Sequence, residues 1–292
     1  MSSEQFNLVK HLTGHVKDGN EFHFPWGHLE IPSFLSASVK DGGLGITKYV
    51  LLEVAVAIVM VAIFVPMATR LRGGQPAKGR FWNMFEALLV YLKDQVIVPS
   101  IGSKKDAAPY VPYLWALFFF ILFCNLAGML PWMGSPTGAM TVTAVLALLT
   151  LTVVVVTGIL RHGAVGFWTG MVPHVEGKVG PINLATVLSP VLFFLELFSF
   201  FVKHCTLCVR LMANMFGGHL MLAVFFGFIP MAAIAWSVWI PVIAWSVWIP
   251  VTVLSLAGAI AISFLELLVA FLQAYIFTLL TSIYIGMAVH QH

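Results

Sequence analysis

Apolar runs dominate the chain, and their lengths set the first expectations. Tyr49 to Ala68 is an apolar run of 20 residues, about the number needed to cross roughly 30 Å of hydrocarbon as a helix. Tyr110 to Leu130 and Met140 to Leu160 are two more such runs, joined by the short segment PWMGSPTGA. Phe81 to Val98 is different: Phe85, Leu88, Leu89, Leu92 and Val96 alternate with Glu86, Lys93 and Asp94. That pattern predicts an amphipathic helix lying in the interface rather than crossing it. Pro190 to Ile229 and Ile249 to Met287 are almost continuously apolar over about 40 residues each, twice what one perpendicular crossing needs. Neither contains a polar turn long enough to be a loop, so each is expected to form one long, strongly tilted helix; four ordinary spans with short loops is the competing arrangement.

Composition agrees with this pattern. Of 292 residues, 60% are hydrophobic and 9% charged, against about 25% charged in an ordinary soluble domain. A soluble globule is excluded, and an all-α polytopic integral membrane protein with about five crossings is expected. The net charge of +3 is too small and too scattered for the continuous basic stripe that nucleic acid requires. The first 30 residues hold no apolar core of the kind a signal peptide needs, so the spans are expected to direct their own insertion. Cys124, Cys205 and Cys208 all sit in apolar runs and imply no disulfide framework.

Charge also orients the spans. Arg70, Arg72, Lys78 and Arg80 follow the first run directly, Lys104 and Lys105 precede the second, and Arg161 and Lys178 follow the third. Cations collect on the cytoplasmic side. The expected topology therefore has residues 1–46 as an extracytoplasmic segment, residues 47–292 as the membrane domain, and the C-terminus in the cytoplasm. The nonapeptide IAWSVWIPV occurs twice in succession, from Ile234 and from Ile243. Its Trp236, Trp239, Trp245 and Trp248, with Pro230, Pro241 and Pro250, read as an aromatic anchor and turn between the last two helices at the outer interface.

Ionisable residues at membrane depth cost several kcal/mol unless paired or hydrated, so each is a functional candidate. Glu196, Arg210, His219 and Glu266 stand out. Helical spacing puts Arg210 about 40° from Asn214 and about 20° from Lys203, whereas His219 points the other way, roughly 13 Å further along the axis. In an antiparallel hairpin, residues at one level share a midpoint. Arg210 with Gln273, and His219 with Glu266, both centre near Pro241 to Val242, inside the Trp-rich turn. One layer would hold an arginine and an amide, and a second layer, nearer the outside, an imidazole and a carboxylate. That is a plausible proton path with a fixed cation at its inner end.

The run Leu207 to His219, LCVRLMANMFGGH, resembles the arginine motif of subunit a of F-type ATP synthases, and Leu265 to Leu280, LELLVAFLQAYIFTLL, is similar to that family's final helix. Asn125 to Pro131 and Glu196 fit as well. The resemblance implies a stator subunit that passes protons through two half-channels to and from a rotating ring of c subunits, beside peripheral-stalk b subunits, in an energy-coupling membrane such as the bacterial inner membrane. On that resemblance Arg210 is the essential cation, and His219, Glu266, Gln273, Asn214 and Glu196 line the proton path. Some bacterial members carry Glu at the position of His219 and His at that of Glu266; mitochondrial members resemble the order seen here. The N-terminal 46 residues, the nonapeptide repeat and Lys203 to Cys208 fall outside the resemblance.

Each site has a plainer competitor: buried hydrogen bonding for Arg210, Asn214 and Gln273, a structural pair for His219 with Glu266, and a snorkelling carboxylate for Glu196. Cys205 and Cys208 form a CxxC beside His204, but two small residues in an apolar helix read as packing. His11 and His15, at metal-binding spacing, read with His23 and His28 as a solvated surface. No cofactor or metal is expected, and no GxxxxGK[ST] loop occurs, so nucleotide chemistry belongs to another subunit. Two other functions compete: a secondary transporter with a midplane site, which would need repeated halves, and a membrane-embedded metalloenzyme, which would need at least three convergent ligands.

Overall fold

The computed structural model describes residues 21–24, 27–30, 47–71, 79–129, 136–170, 178–179, 182–238 and 241–290. Apart from two short antiparallel ribbons, β1 (Glu21–Phe24) with β2 (Gly27–Glu30) and β3 (Lys178–Val179) with β4 (Ile182–Asn183), the regular structure is helical. The reason is the solvent. A chain with long apolar runs has no water to satisfy its backbone inside hydrocarbon, so each run closes its own hydrogen bonds as a helix. Five of the described helices are long and apolar enough to cross a membrane.

The first is α1 (Lys48–Leu71). The amphipathic segment forms α2 (Arg80–Tyr91), continues through a π-helical stretch at Leu92–Ile97 and ends in α3 (Val98–Ile101). Periodicity predicts the helix but not the π-helical stretch, which has no residue signature. A short turn, α4 (Lys104–Ala107), precedes α5 (Val111–Gly128). The third span, α6 (Met140–Gly170), runs ten residues past the expected end and is kinked at Gly163, whose φ of 78° lies in the left-handed region.

The two longest apolar stretches become α7 (Leu184–Val238, 55 residues) and α8 (Pro241–Val289, 49 residues). Each is one helix, not two spans. Of the expected Trp-rich turn, Trp236 lies in the last turn of α7, Trp245 and Trp248 lie within α8, Trp239 lies outside the described residues, and Pro241 occupies the first position of α8, where a missing N–H costs nothing. Pro250 is accommodated inside the helix.

The chain divides into two compact units, and α1, α5, α7 and α8 each contribute a part to both. The first unit comprises Met1–Met60, Phe120–Ala139 and Leu211–Gln273. Tyr49, Leu52 and Val56 of α1 are buried in it, with Ala259 and Ala270 of α8. The second unit comprises Val61–Phe119, Met140–Arg210 and Ala274–His292. Here Phe64 of α1, Phe85 of α2 and Phe119 of α5 form an aromatic cluster with centroids 4.6 to 5.9 Å apart. Trp115 Nε1 donates to the Leu89 carbonyl at 3.0 Å, fastening α5 to the amphipathic helix.

The C-terminal part of α8 is clamped within the second unit. His290 Nε2 lies 2.7 Å from the Ile101 carbonyl, and His162 Nε2 lies 3.3 Å from the Val289 carbonyl. Asp106 accepts hydrogen bonds from Ser103 and from Arg161, and these two partners, Ser103 first, hold its carboxyl below the usual carboxylate range. Gly286 approaches α3 so closely that a Cβ would overlap the Ser100 carbonyl and crowd Ile101 Cα. Because the obstacle is backbone, it cannot rotate away. Gly286→Val should therefore destabilise the fold by about 1–3 kcal/mol, seen as a lower thermal midpoint in detergent, with Gly286→Ala intermediate. An unchanged midpoint would mean that α8 and α3 do not touch there.

Candidate functional site

The predicted site residues fall on α7 and α8, and most of the described geometry lies in the first unit. Glu266 of α8 is half-buried, and its carboxylate rests against Gly218 of α7 so closely that a Cβ at 218 would overlap it. The midpoint of this pair is Val242, so the antiparallel register expected from the residue numbers holds at this level. Gly218 was not singled out by sequence; it is the residue whose missing side chain makes room for the acid. His219 is the next residue of α7, and its side chain lies outside the described residues.

One turn beyond Glu266, α8 is anchored by Asn125 of α5. Asn125 is fully buried; its Nδ2 donates to the Ala270 carbonyl at 3.2 Å and its Oδ1 accepts from Thr137 Oγ1 at 2.7 Å. An amide with both ends engaged in a dry site resists sliding, because losing either bond strands a buried polar group at about 1–3 kcal/mol. Glu53 of α1 is a second carboxylate in this unit, half-buried and within electrostatic range of Cys124. It escaped the sequence reading because one acid among apolar residues does not interrupt the run. The available signal was its depth, the fifth residue after Lys48 of a membrane helix. Gln273 closes this unit and is buried, while Asn214 is exposed beside Ala213 on α7.

In the second unit, Glu196, Lys203 and Arg210 recur at seven-residue intervals on α7 and form a polar stripe. Lys203 Nζ and Glu196 Oε1 are 3.8 Å apart, an ion pair between two partly exposed side chains. Arg210 is half-buried and within electrostatic range of Tyr284 of α8. On the adjoining face His204 is 4% exposed. Its Nδ1 lies 2.9 Å from the Phe200 carbonyl and its ring packs on Phe200 and Tyr284, at 4.8 and 5.1 Å between centroids. Cys205 is exposed, whereas Cys208 is buried with its Sγ 3.3 Å from Thr143 Oγ1, so the CxxC pair is split between two environments.

Among the described residues, no three His, Cys, Asp or Glu side chains converge as a metal site would require. His11 and His15 lie outside the described residues. His23 and His28 are register partners in the β1–β2 ribbon.

A family model described as ATP synthase A chain matches residues 50–286, which take in α1 almost entirely and continue to the last turn of α8. The chain belongs to the ATP synthase subunit a family. It is similar to ATP synthase subunit a of Myxococcus xanthus, with 34% identity over 266 residues covering 90% of this chain and 79% of the relative. The corresponding protein of Chloroherpeton thalassium is 34% identical over 281 residues, 94% of this chain and 75% of its own. ATP synthase subunit a 2 of Chlorobaculum tepidum is 31% identical over 286 residues, 97% and 72% respectively. The matched region leaves out the β1–β2 ribbon and includes both copies of the nonapeptide.

On the reading of Glu266 as a proton carrier, the Gly218–Glu266 contact has a measurable consequence. Gly218→Val should displace the carboxylate and lower ATP-driven acidification of inverted membrane vesicles by about tenfold or more, the scale of losing one positioned proton-transfer group, while the assembled complex keeps its thermal midpoint within a few degrees. Equal acidification by G218V and wild type would show that Glu266 needs no such seat.

Proposed function

We propose that this chain is the proton-conducting stator subunit of a rotary ATP synthase, with the hairpin of α7 and α8 as its working element. The observation that carries the reading is the Glu266 carboxylate seated on Gly218, one residue from His219 on the helix that also carries Arg210. An acid and an imidazole at one level form a titratable pair suited to relaying protons near neutral pH. Residues 1–46 form an extracytoplasmic segment, residues 47–292 the membrane domain, and the C-terminus faces the cytoplasm. The chain does not bind nucleotide and is not an enzyme on its own. Its partners are the ring of c subunits and the peripheral-stalk b subunits.

The mechanism follows from charge. A ring carboxylate protonated through the outer path, by way of His219 and Glu266, is neutral and turns into lipid. Approaching Arg210 from the other side, it must release its proton, because guanidinium stays charged at every relevant pH and favours the ionised acid. Asn214 and Gln273 flank that step as hydrogen-bonding amides, and Glu196 guides the released proton toward the inner side. The exposed apolar residues Phe216 and Leu220 on α7, beside Ala213 and Asn214, give the ring a smooth surface to slide against. One proton falling through 100 mV releases about 2.3 kcal/mol, so several must pass for each ATP.

Arg210→Ala should abolish ATP synthesis driven by a proton gradient while the detached head still hydrolyses ATP. Arg210→Lys should be a poor substitute, since an ammonium loses its proton in a low-dielectric site. Synthesis by R210A near the wild-type rate would overturn the assignment. Acidification that persists in sodium-free buffer identifies the ion as the proton.

The outer layer has its own test. His219→Glu and Glu266→His should each interrupt flux, and the double exchange should recover part of it, because an acid and an imidazole then share the layer again; the coupling is read from a double-mutant cycle. Cysteines at 219 and 266 should crosslink in membranes. Additive losses with no crosslink would remove this pair from the path.

A further inference from the structure

His204 has no part in the path described above, yet it is the most constrained imidazole among the described residues. It lies on α7 immediately after Lys203, inside a candidate membrane span, and is only 4% exposed. Nδ1 faces the Phe200 carbonyl at 2.9 Å, so Nδ1 carries the hydrogen and Nε2 presents a lone pair. That Nε2 is buried and has no hydrogen-bond partner among the described residues. A buried acceptor left unsatisfied costs about 1–3 kcal/mol, a penalty that a Leu or Phe at this position would avoid. The ring is also held in orientation, packed on Phe200 from its own helix and on Tyr284 from α8. Tyr284 in turn lies within electrostatic range of Arg210.

Resting on the stator reading, we infer that His204 is the proton-accepting relay of the inner half-path, taking at Nε2 the proton that a ring carboxylate releases beside Arg210. The transfer balances without any other reactant. A ring COOH loses its proton and remains as a carboxylate facing Arg210; Nε2 gains the proton, directly or through one water, and the ring becomes imidazolium. The imidazolium then returns a proton from Nε2 to water on the inner side and is neutral again. The surroundings keep the charged form short-lived. On α7 the charged and titratable neighbours in sequence are Lys203, paired with Glu196, together with Cys208 and Arg210; from α8 the facing group is Tyr284, whose ring packs on the imidazole. The Lys203 ammonium acts electrostatically on the ring and disfavours a second positive charge beside it, so a proton that arrives is pushed onward.

The test uses the assembled complex in native membranes, with the head removed for passive proton conduction and retained for ATP-driven acidification, while the pH on the inner side is varied. Assembly is checked by co-purification of ring and head. His204→Gln keeps polarity and size and should reduce passive conduction by about tenfold or more, and should remove the imidazole-like step from its dependence on inner pH. His204→Ala should lose conduction similarly and regain part of it when imidazole is added, an effect that repair of packing alone does not produce. His204→Phe, which fills the volume, should assemble and fail to conduct. Wild-type conduction by assembled H204Q would overturn the proposal. So would a loss that leaves the pH profile unchanged and is not rescued by imidazole, because it would mark His204 as structural. His219→Glu, tested alongside, separates this from the underlying reading: if it loses flux while H204Q does not, only the relay is wrong; if neither loses flux, the channel reading fails as well.

Discussion

An ionisable side chain in hydrocarbon must be given a place, and in this chain the place of Glu266 is made by an absence on the opposite helix. Gly218 supplies no side chain, so the carboxylate can lie against the backbone of α7. Sliding α8 by one turn would bring the acid against Met215 or Leu222, both larger than glycine. Asn125 opposes the same slide from α5 by holding the Ala270 carbonyl. The site is thus positioned by a close approach and a saturated amide, with the apolar surroundings supplying no directional restraint of their own.

The five spans were legible because hydropathy over about 20 residues reports the one requirement that hydrocarbon imposes on every residue. The antiparallel register of the hairpin was legible for a different reason. Polar residues are so scarce in the last hundred positions that those on α7 had few possible partners on α8, and a common midpoint was informative. What stayed hidden depended on single contacts. Gly218 is one of 24 glycines, and nothing in its neighbours says that an acid lies opposite. Glu53 was absorbed into an apolar run. The π-helical stretch at Leu92–Ile97 follows from packing rather than from residue type. The nonapeptide repeat was read as an aromatic anchor and turn; its described residues extend the end of α7 and the start of α8 on either side of positions 239–240.

Two faces of α7 in the second unit carry opposite chemistry. Glu196, Lys203 and Arg210 form the charged stripe, where Glu196 and Lys203 answer each other as an ion pair. His204, Leu207 and Cys208 begin the buried side, where Thr143 and Tyr284 are the partners. The buried side tolerates a titratable group only if its neutral form is stable there, since burial disfavours charge.

That requirement limits what can work at position 204. A carboxylate there would be buried without a donor to hold its charge, so it would rest protonated and could accept no further proton. A lysine would add a second cation beside Lys203. A neutral amide could hold a water but could not take a proton at any physiological pH. An imidazole with Nδ1 committed to the Phe200 carbonyl is neutral at rest and has one basic nitrogen. Once protonated it is disfavoured by burial and by the Lys203 ammonium. On the proposed path acceptance is then followed by release, because the same surroundings that leave the ring neutral prevent it from keeping the proton.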